Sequence, residues 1–143
     1  MTHEKDTEEL LSELKEDEDI RQFLSKNQKE FLLPLHEYLE HLLVEKGLKK
    51  ADVIQASLLD RAYGYHIFSG VKANPSRRKL IPLALAMQLD LDETQHLLRY
   101  AGETMLYPRN PWDSIIISAI QKGLSVKEAN TLLAQMGETQ MLG

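Results

Sequence analysis

The chain has 143 residues, 43% of them hydrophobic and 27% charged, with no cysteine and a formal net charge of −5. That length suits one domain, or one small domain with extensions, and the apolar fraction is enough for a core. The composition excludes disulfides, thiolate metal sites and cysteine nucleophiles; no apolar run approaches the ~20 residues of a membrane span, and the acidic N-terminus lacks a signal-peptide apolar region, so a cytoplasmic location is expected.

The charge is unevenly spread. Residues 1–33 carry five Lys/Arg against ten Asp/Glu, residues 34–102 nine against eight, and residues 103–143 three against four. The first of these segments reads as an acidic helical extension. Thr7 to Lys15 can form a helix capped by Thr7, with Glu8 and Glu9 favourably placed in its first turn. Glu16 to Asp19 breaks it, and Ile20 to Asn27 adds a second apolar stripe.

Leu35, Tyr38, Leu39, Leu42 and Leu43 follow one another at helical spacing, which predicts an amphipathic helix ending at Gly47. Two short helical segments come next, Lys50 to Ser57 and Asp60 to Phe68, separated by a couple of residues. This is the layout of a helix-turn-helix, whose second helix normally enters a DNA major groove. Leu58 stands in the turn, where the backbone often requires positive φ. Gly64 lies inside the second segment, at a cost of ~1 kcal/mol relative to alanine on helix propensity. Leu80 to Leu89 is apolar on nearly every side and reads as a central helix; Pro82 sets its start near Arg78 to Leu80, with the proline in the first turn. Asp90 and Glu93 form a capping box for a helix running to Gly102. Tyr107 to Pro111 is a rigid connector. Trp112 to Lys122 and Ser125 to Met136 form a final hairpin, with Ser125 and Glu128 as a second capping box.

Leu91, Glu93, Leu97-Leu98 and Gly102-Glu103-Thr104 recur 35 residues later as Val126, Glu128, Leu132-Leu133 and Gly137-Glu138-Thr139. Either a helix-and-cap unit is duplicated and packed side by side, or two helices simply share good caps.

Gly47-Leu48, Gly70 and Asn74-Pro75-Ser76 occupy the places of the corresponding motif residues in the lambda-repressor-like (XRE, or Cro-repressor type) helix-turn-helix domain, which this chain resembles, with one extra residue in the loop after Gly70. Tyr65-His66-Ile67-Phe68-Ser69-Gly70 and Leu106-Tyr107-Pro108-Arg109-Asn110 further resemble a group of such proteins of Firmicutes type. The resemblance implies an all-α fold: a helical extension over 1–33, a helix-turn-helix domain over 34–102, and a C-terminal helical hairpin over 103–143 packed on that core. It implies a sequence-specific transcriptional regulator that binds double-stranded DNA, as a homodimer, without a cofactor.

The motif places Arg61, Ala62, Tyr63, Tyr65 and His66 on the outward side of the second helix. Arg61, Tyr63, Tyr65 and His66 are the expected base contacts. Arg61 leads, because its fork can bond both major-groove acceptors of a guanine. Lys49, Lys50, Lys72, Arg77, Arg78 and Lys79 are the expected phosphate contacts. Ser76 is placed to cap the helix after them, and cations at a helix N-terminus conflict with its dipole unless a phosphate lies between.

No catalytic or metal site is expected. His36-Glu37 and His41 resemble a zinc-protease motif, but five residues separate the histidines by about 140° around a helix. No phosphate-cradling glycine loop and no nucleophile elbow occur. Asp60, Asp90 and Asp113 read as helix caps. The alternative from another class is a non-catalytic adaptor that keeps the fold and binds a protein partner.

Overall fold

The computed structural model describes residues 6–16, 19–26 and 33–142. Two compact units divide the chain, Met1–Leu33 and Pro34–Gly143. All regular structure among the described residues is helical, and no helix there is long and apolar enough to cross a membrane.

The first unit contains α1 (Thr7–Glu16) and α2 (Ile20–Lys26). Asp6, not Thr7, caps α1: its carboxylate accepts from Glu9 N–H at 2.8 Å. A charged acceptor one residue earlier takes the position, and Thr7 becomes the first helical residue. Phe23 is buried, while Leu11, Leu14, Ile20 and Leu24 are exposed. The expected end of α2 at Asn27 lies outside the described residues.

The second unit runs α3 (Leu35–Lys46), α4 (Lys50–Ser57), α5 (Arg61–Ser69), α6 (Arg77–Ala86), α7 (Leu91–Tyr100), α8 (Pro111–Gln121) and α9 (Val126–Gln135). Gly47 ends α3 in the left-handed region at φ 65°, and Leu48 N–H returns to Leu43 O at 2.9 Å. Leu39, Leu42 and Leu43 face inward. α4 ends at Leu58, which does take φ 62°. A leucine there is strained relative to glycine, and its side chain stays 53% exposed. Beneath the turn, Ser57 is fully buried but satisfied: its hydroxyl donates to Ile54 O and accepts from Leu59 N–H. Asp60 caps α5 by accepting from Tyr63 N–H at 3.1 Å, so the helix starts one residue later than the sequence suggests.

Gly64 has a reason that helix propensity alone does not supply. A Cβ built on it would lie 2.7 Å from Ile54 Cγ2. The Ile54 side chain of α4 therefore rests directly on α5 at Gly64, filling the space a side chain at position 64 would need. The first core gathers around this crossing. Leu39, Leu42 and Leu43 of α3, Val53 and Ile54 of α4, and Ile67 and Phe68 of α5 meet Leu83 and Ala84 of α6, Met87 at its C-cap and Leu97 of α7.

α6 is central, as its composition suggests, because its other side builds a second core. Leu80, Ile81 and Leu85 pack with Leu98, Trp112, Ile116, Ile120, Val126 and Leu133. The helix begins at Arg77, earlier than expected, so Pro82 is its sixth residue and lies past the first turn. Its ring nitrogen gives no donor to the carbonyl four residues back, at Arg78.

The 35-residue echo extends over a whole helical hairpin. α6–α7 and α8–α9 share their turns, with Leu89 N–H bonded to Ala84 O at 3.1 Å and Leu124 N–H to Ala119 O at 3.0 Å. Gln88 and Gly123, which correspond, both have positive φ. Both second helices start on complete capping boxes, Asp90/Glu93 and Ser125/Glu128. Both end on the same return bond, Glu103 N–H to Leu98 O and Glu138 N–H to Leu133 O. Gln95 then holds the backbone of Leu106, and Asn130, its counterpart, accepts from Met141 N–H. The two hairpins meet through equivalent positions of one core: Ile81 and Ile116, Leu85 and Ile120, Leu98 and Leu133, Leu106 and Met141. α7 and α9 each lie against both α6 and α8, rather than forming a side-by-side pair of their own. On the opposite face, Leu83 and Met87 of the first hairpin are buried against α3–α5, and their counterparts are Ser118 and Lys122. Polar residues there let the second hairpin end the stack.

α3 and α7 are joined by Lys46 Nζ to Glu93 Oε2 at 2.6 Å and by a Tyr38–Tyr100 ring stack with centroids 4.1 Å apart. Glu93 is held below its ordinary value of 4.5, first by the Asp90 backbone N–H and then by Lys46.

Two outcomes follow from this packing. Propensity alone would make Gly64→Ala stabilising by ~1 kcal/mol. The contact with a buried, β-branched Ile54 reverses the sign, and denaturant unfolding should show a loss of about 1–3 kcal/mol; combined with Ile54→Ala, itself destabilising, the total loss should be less than additive. The second outcome is an acid limb. A carboxylate with a depressed value contributes stability that is present above pH 4.5 and lost as pH falls below it. Melting curves from pH 7 down to about pH 3 should fall less steeply for Glu93→Gln than for the unaltered chain; identical slopes would remove Glu93 from the account.

Candidate nucleic-acid interface

α5 presents Arg61, Ala62, His66 and Ser69 to solvent, with Tyr65 half-buried among them, while Gly64, Ile67 and Phe68 face the core. The pattern follows from helical spacing, with the inward positions three and four apart. The Arg61 guanidinium lies 5.9 Å from the centre of the Tyr65 ring. Tyr65 in turn packs against the first core.

The four expected base-contact residues do not all share this face. Tyr63 turns towards α6: its ring packs on the first core and Lys79 Nζ lies 5.4 Å from the ring centre. Burial pushes its hydroxyl value up. Arg61 and His66 stay fully available. Ser69 joins the outward row, eight residues after Arg61, with its hydroxyl donating to His66 O at 3.2 Å. Extending the outward spacing of Arg61 and Tyr65 by one more turn would have found it.

The expected phosphate contacts separate more sharply. Lys49 is exposed at the N-cap position of α4, and Lys72 is exposed in the loop after α5. That loop is pinned, since Lys72 N–H bonds to His66 O at 2.9 Å and Gly70 lies against the His36 ring. Lys50 is half-buried, paired with Glu40 and 5.7 Å from the Phe68 ring centre. Arg78 is exposed but leans over Trp112 at 5.5 Å and bonds weakly to Gln140 O. Ser76 occupies the N-cap position of α6 without making a side-chain cap bond.

Arg77 is spent inside the molecule, which corrects its assignment as a phosphate contact. Its Nε donates to Thr104 O at 2.8 Å, and its terminal nitrogen donates to Met105 O at 3.2 Å and to Asp113 Oδ2 at 2.5 Å. The guanidinium also covers the Trp112 ring at 5.7 Å. Asp113 is not the cap of α8 either. Asn110 holds that place, accepting from Asp113 N–H, while the buried Asp113 carboxylate accepts from Arg77 and from Tyr107 N–H. The conflict between three cations and a helix N-terminus is thus partly resolved by an internal carboxylate rather than by an external anion. No sequence signal pairs positions 77 and 113, because their meeting depends on how α6 and α8 pack.

Arg77→Ala would leave the Asp113 carboxylate buried with only the Tyr107 N–H facing it. Loss of one member of such a pair should cost about 3 kcal/mol in denaturant unfolding, without changing the affinity of the folded fraction for duplex DNA. A loss of DNA affinity with unchanged stability would restore Arg77 to the surface role.

No family model, no curated protein and no solved structure matches this chain.

Proposed function

We propose that this chain is a sequence-specific double-stranded DNA-binding regulator of transcription, built on a lambda-repressor-like core, with α5 as the helix that enters the major groove. The observation that carries this reading is the outward row of α5 headed by Arg61, on a helix fixed by its crossing with α4 at Gly64. A groove-reading helix needs an exposed face with a planar donor near its N-terminus and a rigid backing, so that contacts form without reorganisation. Arg61 is the reader of a guanine, and His66 and Ser69 reach further along the groove. Lys49, Lys72, Arg78 and Lys79 are the phosphate contacts. Two copies bind as a homodimer, on half-sites about 34 Å apart.

The electrostatics set a limit that can be measured. With Arg77 and Lys50 engaged elsewhere, about four cations per copy remain for phosphates. Counterion release then gives a slope of log affinity against log salt of roughly −3 to −4 per copy. Fluorescence anisotropy against duplexes drawn from genomic fragments, at two salt concentrations, is the deciding experiment. Arg61→Ala should lose ~1–3 kcal/mol of preference at one base pair, and neutralising Lys49, Lys72, Arg78 and Lys79 should weaken binding to every sequence.

A second reading has its own support. The cleft beside Arg61, about 500 Å³ and lined by Ala51, Ile54, Gln55, Leu59, Arg61 and Tyr65, is largely apolar, and the exposed Leu58 follows α4 directly. These favour a protein partner, and an adaptor would retain no fragment at either salt concentration.

A further inference from the structure

We propose that Tyr65 is a positioning residue for Arg61 in the reading of a guanine. The inference rests on DNA reading by α5. Its basis is the placement of Tyr65 one helical turn after Arg61. Tyr65 is half-buried and packed on the first core, so its ring is held. The Arg61 guanidinium sits 5.9 Å from that ring, within the range of a cation–π contact.

Such a contact occupies only the face of the guanidinium. Its N–H donors lie in the plane and stay free to bond the O6 and N7 acceptors of guanine. An exposed arginine otherwise samples many rotamers, all but one of which are lost on binding. Holding the fork beforehand reduces that loss.

Selection from a randomised duplex library with the full chain should enrich a site containing a guanine. Anisotropy with that duplex then isolates the part played by Tyr65. Tyr65→Phe should retain the guanine preference, whereas Tyr65→Leu should lose about threefold of it, with affinity for random duplex unchanged when both are measured on the folded protein. A library with no enriched sequence would overturn the DNA reading and this inference together. An enriched guanine whose preference survives Tyr65→Leu would overturn the role of Tyr65 alone.

Discussion

The crossing of α4 and α5 at Gly64 and Ile54 sets everything on the outer face. With no side chain at position 64, the two helices approach until Ile54 Cγ2 occupies the space a Cβ would take. The contact fixes which residues of α5 turn inward, and hence that Arg61, Ala62, His66 and Ser69 turn outward. It also explains why the exposed Leu58 tolerates positive φ. The tight turn is imposed by helices that must meet closely, and the strain is small beside the burial of Val53, Ile54, Ile67 and Phe68. A helix-interior glycine, unfavourable on propensity, is here a packing requirement.

The rest of the second unit supports that crossing from behind. α6 is shared by both cores, so the α3–α5 layer and the α8–α9 hairpin are coupled through one helix. The tandem hairpins reuse one solution: the same kind of cap, the same turn, the same return bond, and the same positions contributed to one core. Arg77 and Trp112 occupy equivalent places and meet where the hairpins join. Each also donates to the carbonyl of an equivalent threonine, Arg77 to Thr104 and Trp112 to Thr139. Substituting Ser118 and Lys122 at the counterparts of Leu83 and Met87 is what makes one hairpin internal and the other terminal.

Local chemistry was legible in the sequence and long-range pairing was not. The capping boxes at Asp90/Glu93 and Ser125/Glu128, the glycine end of α3 and the positive φ of Leu58 depend on residues within a few positions of each other. The all-helical character and the central place of α6 follow from apolar spacing. By contrast, Gly64 read as a cost because its partner Ile54 lies on another helix. Arg77 read as a surface cation because Asp113 is 36 residues away. Tyr63 and Tyr65 read alike from periodicity, yet Lys79 of α6 claims one ring and Arg61 the other. The echo was visible mainly in α7 and α9, since α6 and α8 share few residue types at equivalent positions: Leu85 stands against Ile120 and Pro82 against Ile117.

A weakly charged second unit with few free cations can still read DNA, if orientation rather than charge supplies the selectivity. That is the central claim, and amide chemical-shift mapping tests it directly. On titration with an enriched duplex, the shifted resonances should be those of Arg61, Ala62, Tyr65, His66 and Ser69, with Lys49, Lys72, Arg78 and Lys79 at the margin, while α9 and α8 beyond Trp112 stay unchanged. Shifts centred on α8–α9, or none anywhere with the duplex in excess, would contradict the account.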